Sequence, residues 1–94
     1  NDLYAQQVMT CERSFLETLE GGCSIPAFAH AWIEDEIMHV EGGLMSLDGK
    51  EYIYEKLEGK RTHSEDMGSG LAKIILINGG RPLLKRIRQE LDQL

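Results

Sequence analysis

Cysteine thiols are the strongest potential nucleophiles in this chain, and it has two of them, Cys11 and Cys23. Their spacing fits no common zinc or redox motif, so we interpret them as separate thiols in a reducing compartment. Cys23 lies between Gly21-Gly22 and Ser24, in a loop whose glycines leave the backbone bare and adaptable. On spacing alone, a buried cysteine at a tight turn is the simpler interpretation of this loop.

The other groups that could bind a metal or transfer a proton form no recognisable site. His30, His39 and His63 lack a third ligand at a fixed spacing, so no metal site is predicted. The acidic residues 34–36 read as a solvated turn, and residues 65–66 as the acidic first turn of a helix. No catalytic triad and no glycine-rich phosphate loop is present, so no catalytic residue is predicted in this chain.

The segment before the cysteine loop is predicted to be a helix, because apolar residues recur at spacings of three and four. Asp2 is expected to be its N-cap, and Gly21-Gly22 its stop. Cys11 falls on the apolar face, which favours a buried core position. The predicted face consists of Tyr4, Val8, Cys11, Phe15 and Leu19.

The middle of the chain is predicted to form three antiparallel strands over residues 25–33, 37–46 and 52–57. Alternation places the alanines of the first strand on one face, which suggests close packing against a helix. Residues 34–36 form the first turn. Asp48-Gly49 is expected to form a type I′ turn between the second and third strands.

The last third is predicted to contain two helices. Ser64 is expected to cap the first, whose Gly68 and Gly70 cost roughly 1 kcal/mol each and suggest close packing. Residues 79–80 end that helix, and the next begins at residue 81. The predicted apolar faces are Met67, Leu71, Ile74 and Asn78 on the first helix, with Ile75 beside them, and Leu84, Ile87, Leu91 and Leu94 on the second.

These elements predict one domain, residues 1–94, of the α+β class. Its order is α-β-β-β-α-α, a three-stranded antiparallel sheet with helices packed on one face. The length, 94 residues, permits one small core, and no apolar run is long enough to span a bilayer.

Charge is distributed unevenly along the chain, whose net charge is −6. Residues 1–47 hold eight acids and one base, whereas residues 81–94 hold four bases and two acids. A nucleic-acid binder usually shows the opposite overall balance. An anionic ligand near the cysteine loop would therefore need cations from outside the first half.

Several segments, in order along the whole chain, carry a resemblance to a known family. They read CERSFL (11–16), LEGGCSIP (19–26), GG (42–43), SLDG (46–49), MGSGLA (67–72) and NGG (78–80). The sequence resembles the C-terminal domain of the porphobilinogen deaminase, or hydroxymethylbilane synthase, family. One departure is Cys11, which stands where an alanine is usual before the Glu-Arg pair.

The resemblance implies the third domain of a monomeric, three-domain cytoplasmic transferase. That enzyme joins four porphobilinogen molecules, with loss of ammonia, into hydroxymethylbilane for tetrapyrrole and heme biosynthesis. It implies a dipyrromethane cofactor attached by a thioether to Cys23, with Gly21, Gly22 and Ser24 forming the loop. The catalytic aspartate and the arginine-rich cleft belong to the other two domains. The expected partners are those domains and the growing oligopyrrole, and the isolated chain is expected to be folded, inactive and without its cofactor.

The Cys23 thiol is expected to be unactivated, unlike that of a cysteine protease. It follows a helix C-terminus and lies three positions after Glu20, and both features disfavour a thiolate if they lie close to the sulfur. Its reaction would then depend on a strong electrophile delivered by the other domains.

The predicted order also resembles that of double-stranded RNA-binding domains, an alternative from a different functional class. The acidic balance argues against it. So does the start of the second helix, where Glu65-Asp66 stand in place of a lysine cluster. We therefore expect no nucleic-acid partner and no membrane partner.

Overall fold

A computed structural model describes residues 1–21 and 24–94 of the chain. The strands form one antiparallel sheet in the order β1-β2-β3, and a short 3₁₀ turn, Arg61–His63, leads into the second helix. The α+β order predicted from the sequence is therefore confirmed. The elements are α1 (Asp2–Glu20), β1 (Ala27–Glu34), β2 (Ile37–Met45), β3 (Tyr52–Lys60), α2 (Ser64–Ile75) and α3 (Arg81–Asp92).

The core lies between the helices and the sheet face that they cover. The small alanines of β1 face this core, with Ala31 buried, as the alternation predicts. The buried apolar residues are Cys11, Phe15, Leu19, Ile25, Ala31, Met38, Val40, Leu44, Met67, Leu71, Ala72, Ile75, Leu83, Leu84 and Ile87.

Helices α1 and α2 cross at Gly68 with their backbones in close approach. A Cβ atom at Gly68 would lie 2.1 Å from the carbonyl oxygen of Cys11. Beside this crossing, the buried hydroxyl of Ser14 donates a 2.7 Å hydrogen bond to the carbonyl oxygen of Glu65. The expectation of close packing is confirmed at Gly68 and wrong at Gly70, where an added Cβ would meet nothing within 4 Å.

The glycine pair in β2 makes room for one aromatic ring on each face of the sheet. A Cβ at Gly42 would lie 2.7 Å from the ring of Phe15, which reaches the sheet from α1. A Cβ at Gly43 would lie 2.6 Å from the ring of Phe28, on the opposite face. These contacts explain why the apolar pattern of the strand is interrupted there.

Both predicted N-caps are wrong. Asn1, one residue before Asp2, caps α1, because its side-chain oxygen accepts a 2.9 Å hydrogen bond from the Tyr4 N–H. Ser64 is the first residue of α2 and is already helical, because the 3₁₀ turn continues directly into the helix, and it is buried. His63, the residue before Ser64, makes no side-chain capping hydrogen bond.

The first hairpin has a turn where the sequence predicts one, and the second departs from its predicted turn type. Glu34 pairs with Ile37, so only Asp35 and Glu36 connect β1 to β2, and both adopt positive φ as a type I′ turn requires. Between β2 and β3, only Gly49 has positive φ. The predicted type I′ turn at Asp48-Gly49 is therefore wrong.

A longer loop replaces that turn, because a side chain organises it. The backbone N–H of Ser46 donates a 2.8 Å hydrogen bond to the backbone carbonyl oxygen of Glu51, which closes the loop. Inside it, the Asp48 carboxylate accepts from the Ser46 hydroxyl at 2.6 Å and from the Lys50 N–H at 3.0 Å. These hydrogen bonds lower the pKa of Asp48, and the bond from the Ser46 hydroxyl has the largest effect.

The ends of the last two helices also depart from the predicted apolar faces. Asn78 is exposed, because the chain leaves helical geometry there and kinks at Gly79, whose φ is 106°. Leu94 is 97% exposed beyond the end of α3, whereas Leu83 is buried. Helix α3 therefore contacts the core along its length, from Leu83 to the half-buried Leu91, and only Leu94 beyond it does not.

Candidate functional site

The loop predicted to carry the site joins α1 to β1, and both of its ends are anchored in the core. Leu19 and Ile25, on either side of it, are buried. Gly21 ends α1 in the left-handed conformation, φ 58°, and its N–H donates to the Glu17 carbonyl at 3.0 Å. Ser24 is exposed. Gly22 and Cys23, the remaining predicted site residues, lie outside the described residues.

Arg88 of α3 holds the start of this loop. Its guanidinium donates a 3.0 Å hydrogen bond to the carbonyl oxygen of Glu20, in the last turn of α1. That turn contains no basic residue of its own, so Arg88 supplies the positive charge that a helix C-terminus favours. Sequence reasoning missed this contact, although the four bases of residues 81–94 were a signal for it.

A groove of about 540 Å³ opens between the end of α1 and α3. Gly21 and three cations, Arg81, Lys85 and Arg88, line it together with one carboxylate, Asp92. Leucines contribute the apolar part of its lining. They are Leu19, Leu76 and Leu84.

Cys11 is a core residue, as predicted, and has no exposed surface. Burial, with a smaller contribution from the neighbouring Glu12 carboxylate, raises the pKa of its thiol to about 11. Cys11 is therefore an unreactive thiol in the folded chain, which leaves Cys23 as the candidate nucleophile.

We expect the buried Cys11 thiol to make the domain less stable in alkali. Its pKa is about 11 when folded and about 9 in its ordinary state. The neutral thiol therefore contributes its full stabilisation below pH 9, and this contribution is lost as the pH rises towards 11. Urea unfolding from pH 8 to 11 should show a decline in the free energy of unfolding that is weaker in Cys11→Ala. An equal decline in both proteins would contradict this account.

Two of the three histidines, His30 and His39, form an aromatic row with Trp32 on the sheet face opposite the helices, whereas His63 lies in the 3₁₀ turn. Trp32 lies between His30 and His39, with ring centroids 4.9 and 5.3 Å away. Each imidazole lies next to a carboxylate of the sheet. The Nδ1 atom of His30 is 3.4 Å from Oε1 of Glu41, and the Nδ1 atom of His39 is 3.3 Å from Oε2 of Glu58. Within residues 1–21 and 24–94, no cluster of ligating side chains could hold a metal ion.

The exposed acidic turn has a structural role. The Glu36 carboxylate accepts hydrogen bonds from the Tyr4 hydroxyl and, at 2.9 Å, from Arg61. These bonds, the tyrosine bond most strongly, lower the pKa of Glu36. The turn therefore ties the β1–β2 hairpin to α1 and to the chain before α2, and no acid–base pair is formed there.

A family model described as the porphobilinogen deaminase C-terminal domain matches residues 6–76 of the chain. The chain belongs to the porphobilinogen deaminase family. The match includes the cysteine loop and ends at Leu76, before α3 begins. The alternative from element order, a double-stranded RNA-binding domain, is not supported by this match.

Relatives named porphobilinogen deaminase align with most of the chain. The protein from Desulfosudis oleivorans is 43% identical over 86 residues, which cover 92% of this chain and 28% of the relative. The protein from Cytophaga hutchinsonii is 38% identical over 93 residues, 99% of this chain and 30% of the relative. That from Thermus thermophilus is 40% identical over 78 residues, 82% of this chain and 26% of the relative. The chain thus spans about three-tenths of the length of these porphobilinogen deaminases.

Glu12, in a segment that carries the family resemblance, has a structural role that sequence reasoning missed. Its carboxylate accepts a 2.9 Å hydrogen bond from the backbone N–H of Ala31 in β1. β1 is an edge strand, and Ala31 is only 5% exposed. Glu12 therefore satisfies a buried backbone donor that the sheet leaves unpaired.

We expect Glu12→Ala to lower the free energy of unfolding by about 1–3 kcal/mol, because it leaves the Ala31 N–H buried without an acceptor. Glu12→Gln retains a carbonyl oxygen at that position and should lose less than half as much. Urea unfolding of the two variants measures the difference. Equal losses would show that the carboxylate charge, and not the acceptor, stabilises the fold.

Among the residues that the structure describes, no helix is long and apolar enough to cross a membrane.

Proposed function

We propose that this chain is the third, C-terminal domain of a porphobilinogen deaminase and that Cys23 carries its dipyrromethane cofactor as a thioether. One observation carries the proposal: the family match includes LEGGCSIP, at a helix–strand junction whose two ends are anchored in the core. The coverage of the relatives, about three-tenths of their length, supports a domain of a larger enzyme.

The proposed attachment uses the thiol as a nucleophile. Its sulfur bonds to the methylene carbon of an aminomethylpyrrole, the carbon–nitrogen bond breaks, and the nitrogen leaves as ammonia together with the thiol proton. When bound, the dipyrromethane supplies the pyrrole to which the substrate units are added. In the complete enzyme, four porphobilinogen molecules are added in turn to that pyrrole, each with loss of one ammonia, and water releases the tetramer as hydroxymethylbilane.

The residues of this chain position the tether and leave catalysis to other domains. Leu19 and Ile25 fix the two ends of the loop in the core, and Gly21 turns the chain out of α1. Ser24, the next residue after the cysteine, is exposed. We assign no catalytic residue to this chain, and propose that proton transfer and most carboxylate binding belong to the other two domains of the cytoplasmic enzyme.

The donor groups near the loop suit an anionic cofactor. A bound oligopyrrole carries acetate and propionate groups, which bind best to guanidinium and ammonium groups. The first half of the chain holds one base, but α3 brings Arg81, Lys85 and Arg88 to the end of α1. The chemistry of these residues therefore fits the proposed cofactor.

The activity of the full-length protein tests this proposal. We expect the full-length protein to consume porphobilinogen and to release ammonia and a linear tetrapyrrole. The 94-residue domain alone should give a folded circular dichroism spectrum and no turnover. A full-length protein that is folded, loaded and unable to consume porphobilinogen would overturn the proposal, and so would turnover by the isolated domain.

A further inference from the structure

We infer that the groove lined by Arg81, Lys85 and Arg88 binds carboxylates of the oligopyrrole tethered at Cys23. This inference rests on the proposed function and assigns to this domain an anion-binding site of its own. The three residues belong to α3, which lies beyond the part of the chain that the family model matches. We call these three residues, with the surface between α1 and α3, the basic groove.

The charges of the basic groove are not used by neighbouring carboxylates. Within the described parts of the chain, Arg81, Lys85 and Arg88 form no ion pair, and Arg88 donates to a neutral carbonyl oxygen of Glu20. Arg86 on the same helix differs, because its guanidinium lies 2.7 Å from the Glu51 carboxylate. The basic groove therefore has positive charge available for a ligand.

The basic groove also lies within reach of the proposed attachment point. Gly21 forms part of its lining, and Cys23 follows Gly21 by two residues, a length of chain of at most about 7 Å. The Arg88 guanidinium lies beside Gly21, 3.5 Å from the position that a Cβ would take there. A pyrrole attached at Cys23 therefore needs no long linker to place its acetate or propionate group among these cations.

The shape and lining of the basic groove suit a pyrrole with acidic substituents. Its volume, about 540 Å³, is in the range of small-molecule sites. Leu76 is half-buried and offers apolar surface to a flat ring, with the buried Leu19 and Leu84 behind it. Arg81 and Arg88 can each bind a carboxylate through two parallel hydrogen bonds, and Lys85 adds a point charge. Asp92, on the same wall, disfavours anions at one end and leaves the Arg81–Lys85 end for binding.

The test compares variants of the full-length enzyme prepared without cofactor and then mixed with porphobilinogen. Arg81→Gln/Lys85→Gln removes two cations of the basic groove, whereas Arg86→Gln is the matched control on the same helix. Intact mass spectrometry follows the fraction of protein that carries the dipyrrole adduct. Because each carboxylate contact at an exposed site is modest, we expect the double variant to load about fivefold more slowly, and Arg86→Gln at the wild-type rate.

Hydrogen exchange gives a second readout that does not depend on turnover. Loading should slow exchange in α3 and in residues 17–21 in the wild type and in Arg86→Gln, and this protection should be lost in the double variant. The charge-conserving pair Arg81→Lys/Lys85→Arg should restore most of both effects. If the double variant fails to fold by circular dichroism, Lys85→Gln at an exposed position replaces it, with about twofold slower loading expected.

The outcomes separate this inference from the proposed function. Wild-type loading rates and protection in the double variant would overturn the inference, and so would equal slowing in Arg86→Gln. In both cases the adduct on Cys23 would still support the tether. If the wild-type enzyme is active and never carries an adduct on Cys23, the proposed function fails, and the inference fails with it.

Discussion

Gly68→Ala is expected to lower the free energy of unfolding by about 3 kcal/mol, since overpacking against the backbone is among the costliest core changes. The added methyl group would lie 2.1 Å from the Cys11 carbonyl oxygen and 2.9 Å from the Phe15 nitrogen. Both are backbone atoms of α1, so relief requires the two helices to separate. The gain in helix propensity, about 1 kcal/mol, is too small to offset this cost.

Gly70→Ala is the matched control, in the same helix and two positions away. An added Cβ there meets nothing within 4 Å. The substitution should therefore raise the free energy of unfolding by about 0.5–1 kcal/mol, the ordinary gain of alanine over glycine in a helix. Urea unfolding of the two variants measures both effects. If both substitutions change the free energy of unfolding by a similar amount and in the same direction, the close crossing of α1 and α2 at Gly68 would be contradicted.

Cys23→Ala in the full-length enzyme is expected to abolish cofactor attachment and reduce turnover to background, because the other thiol of this domain is buried in the core. The second thiol, Cys11, has no exposed surface and a pKa of about 11. Cys11→Ala is therefore the control. It should retain the adduct and the activity while losing about 1 kcal/mol of stability from the vacated volume.

Mass and rate measurements on the two cysteine variants check this prediction together. A dipyrrole adduct on Cys23→Ala, or wild-type turnover by that variant, would refute the tether. Loss of the adduct in a folded Cys11→Ala protein would show that the buried thiol has a role beyond packing.

The fold was predictable where the pattern is local. The spacing of Cys11, Phe15 and Leu19 predicts the buried face of α1, and all three are buried. The errors occur where a residue's role depends on its neighbours in space. Ser64 has the sequence context of an N-cap, but the 3₁₀ turn before it makes it helical. Leu94 continues the apolar spacing of α3 at a position that is exposed.

The site was predictable only in part, for the same reason. Glu12 and Ala31 lie 19 positions apart, and Arg88 and Glu20 lie 68 apart, so no local pattern reveals either contact. Gly68 lowers the helix propensity of α2 as any interior glycine does, and only its close contact with α1 explains why a glycine stands at this position. The assignment of Cys23 came from resemblance to a family and not from the spacing of its own sequence.

Peptide mass spectrometry of the full-length enzyme, purified from its own cells, is the decisive experiment on the attachment at Cys23. We expect a dipyrrole-sized adduct on the peptide that contains Cys23 and none on the peptide that contains Cys11. An active enzyme whose Cys23 is unmodified would contradict this attachment.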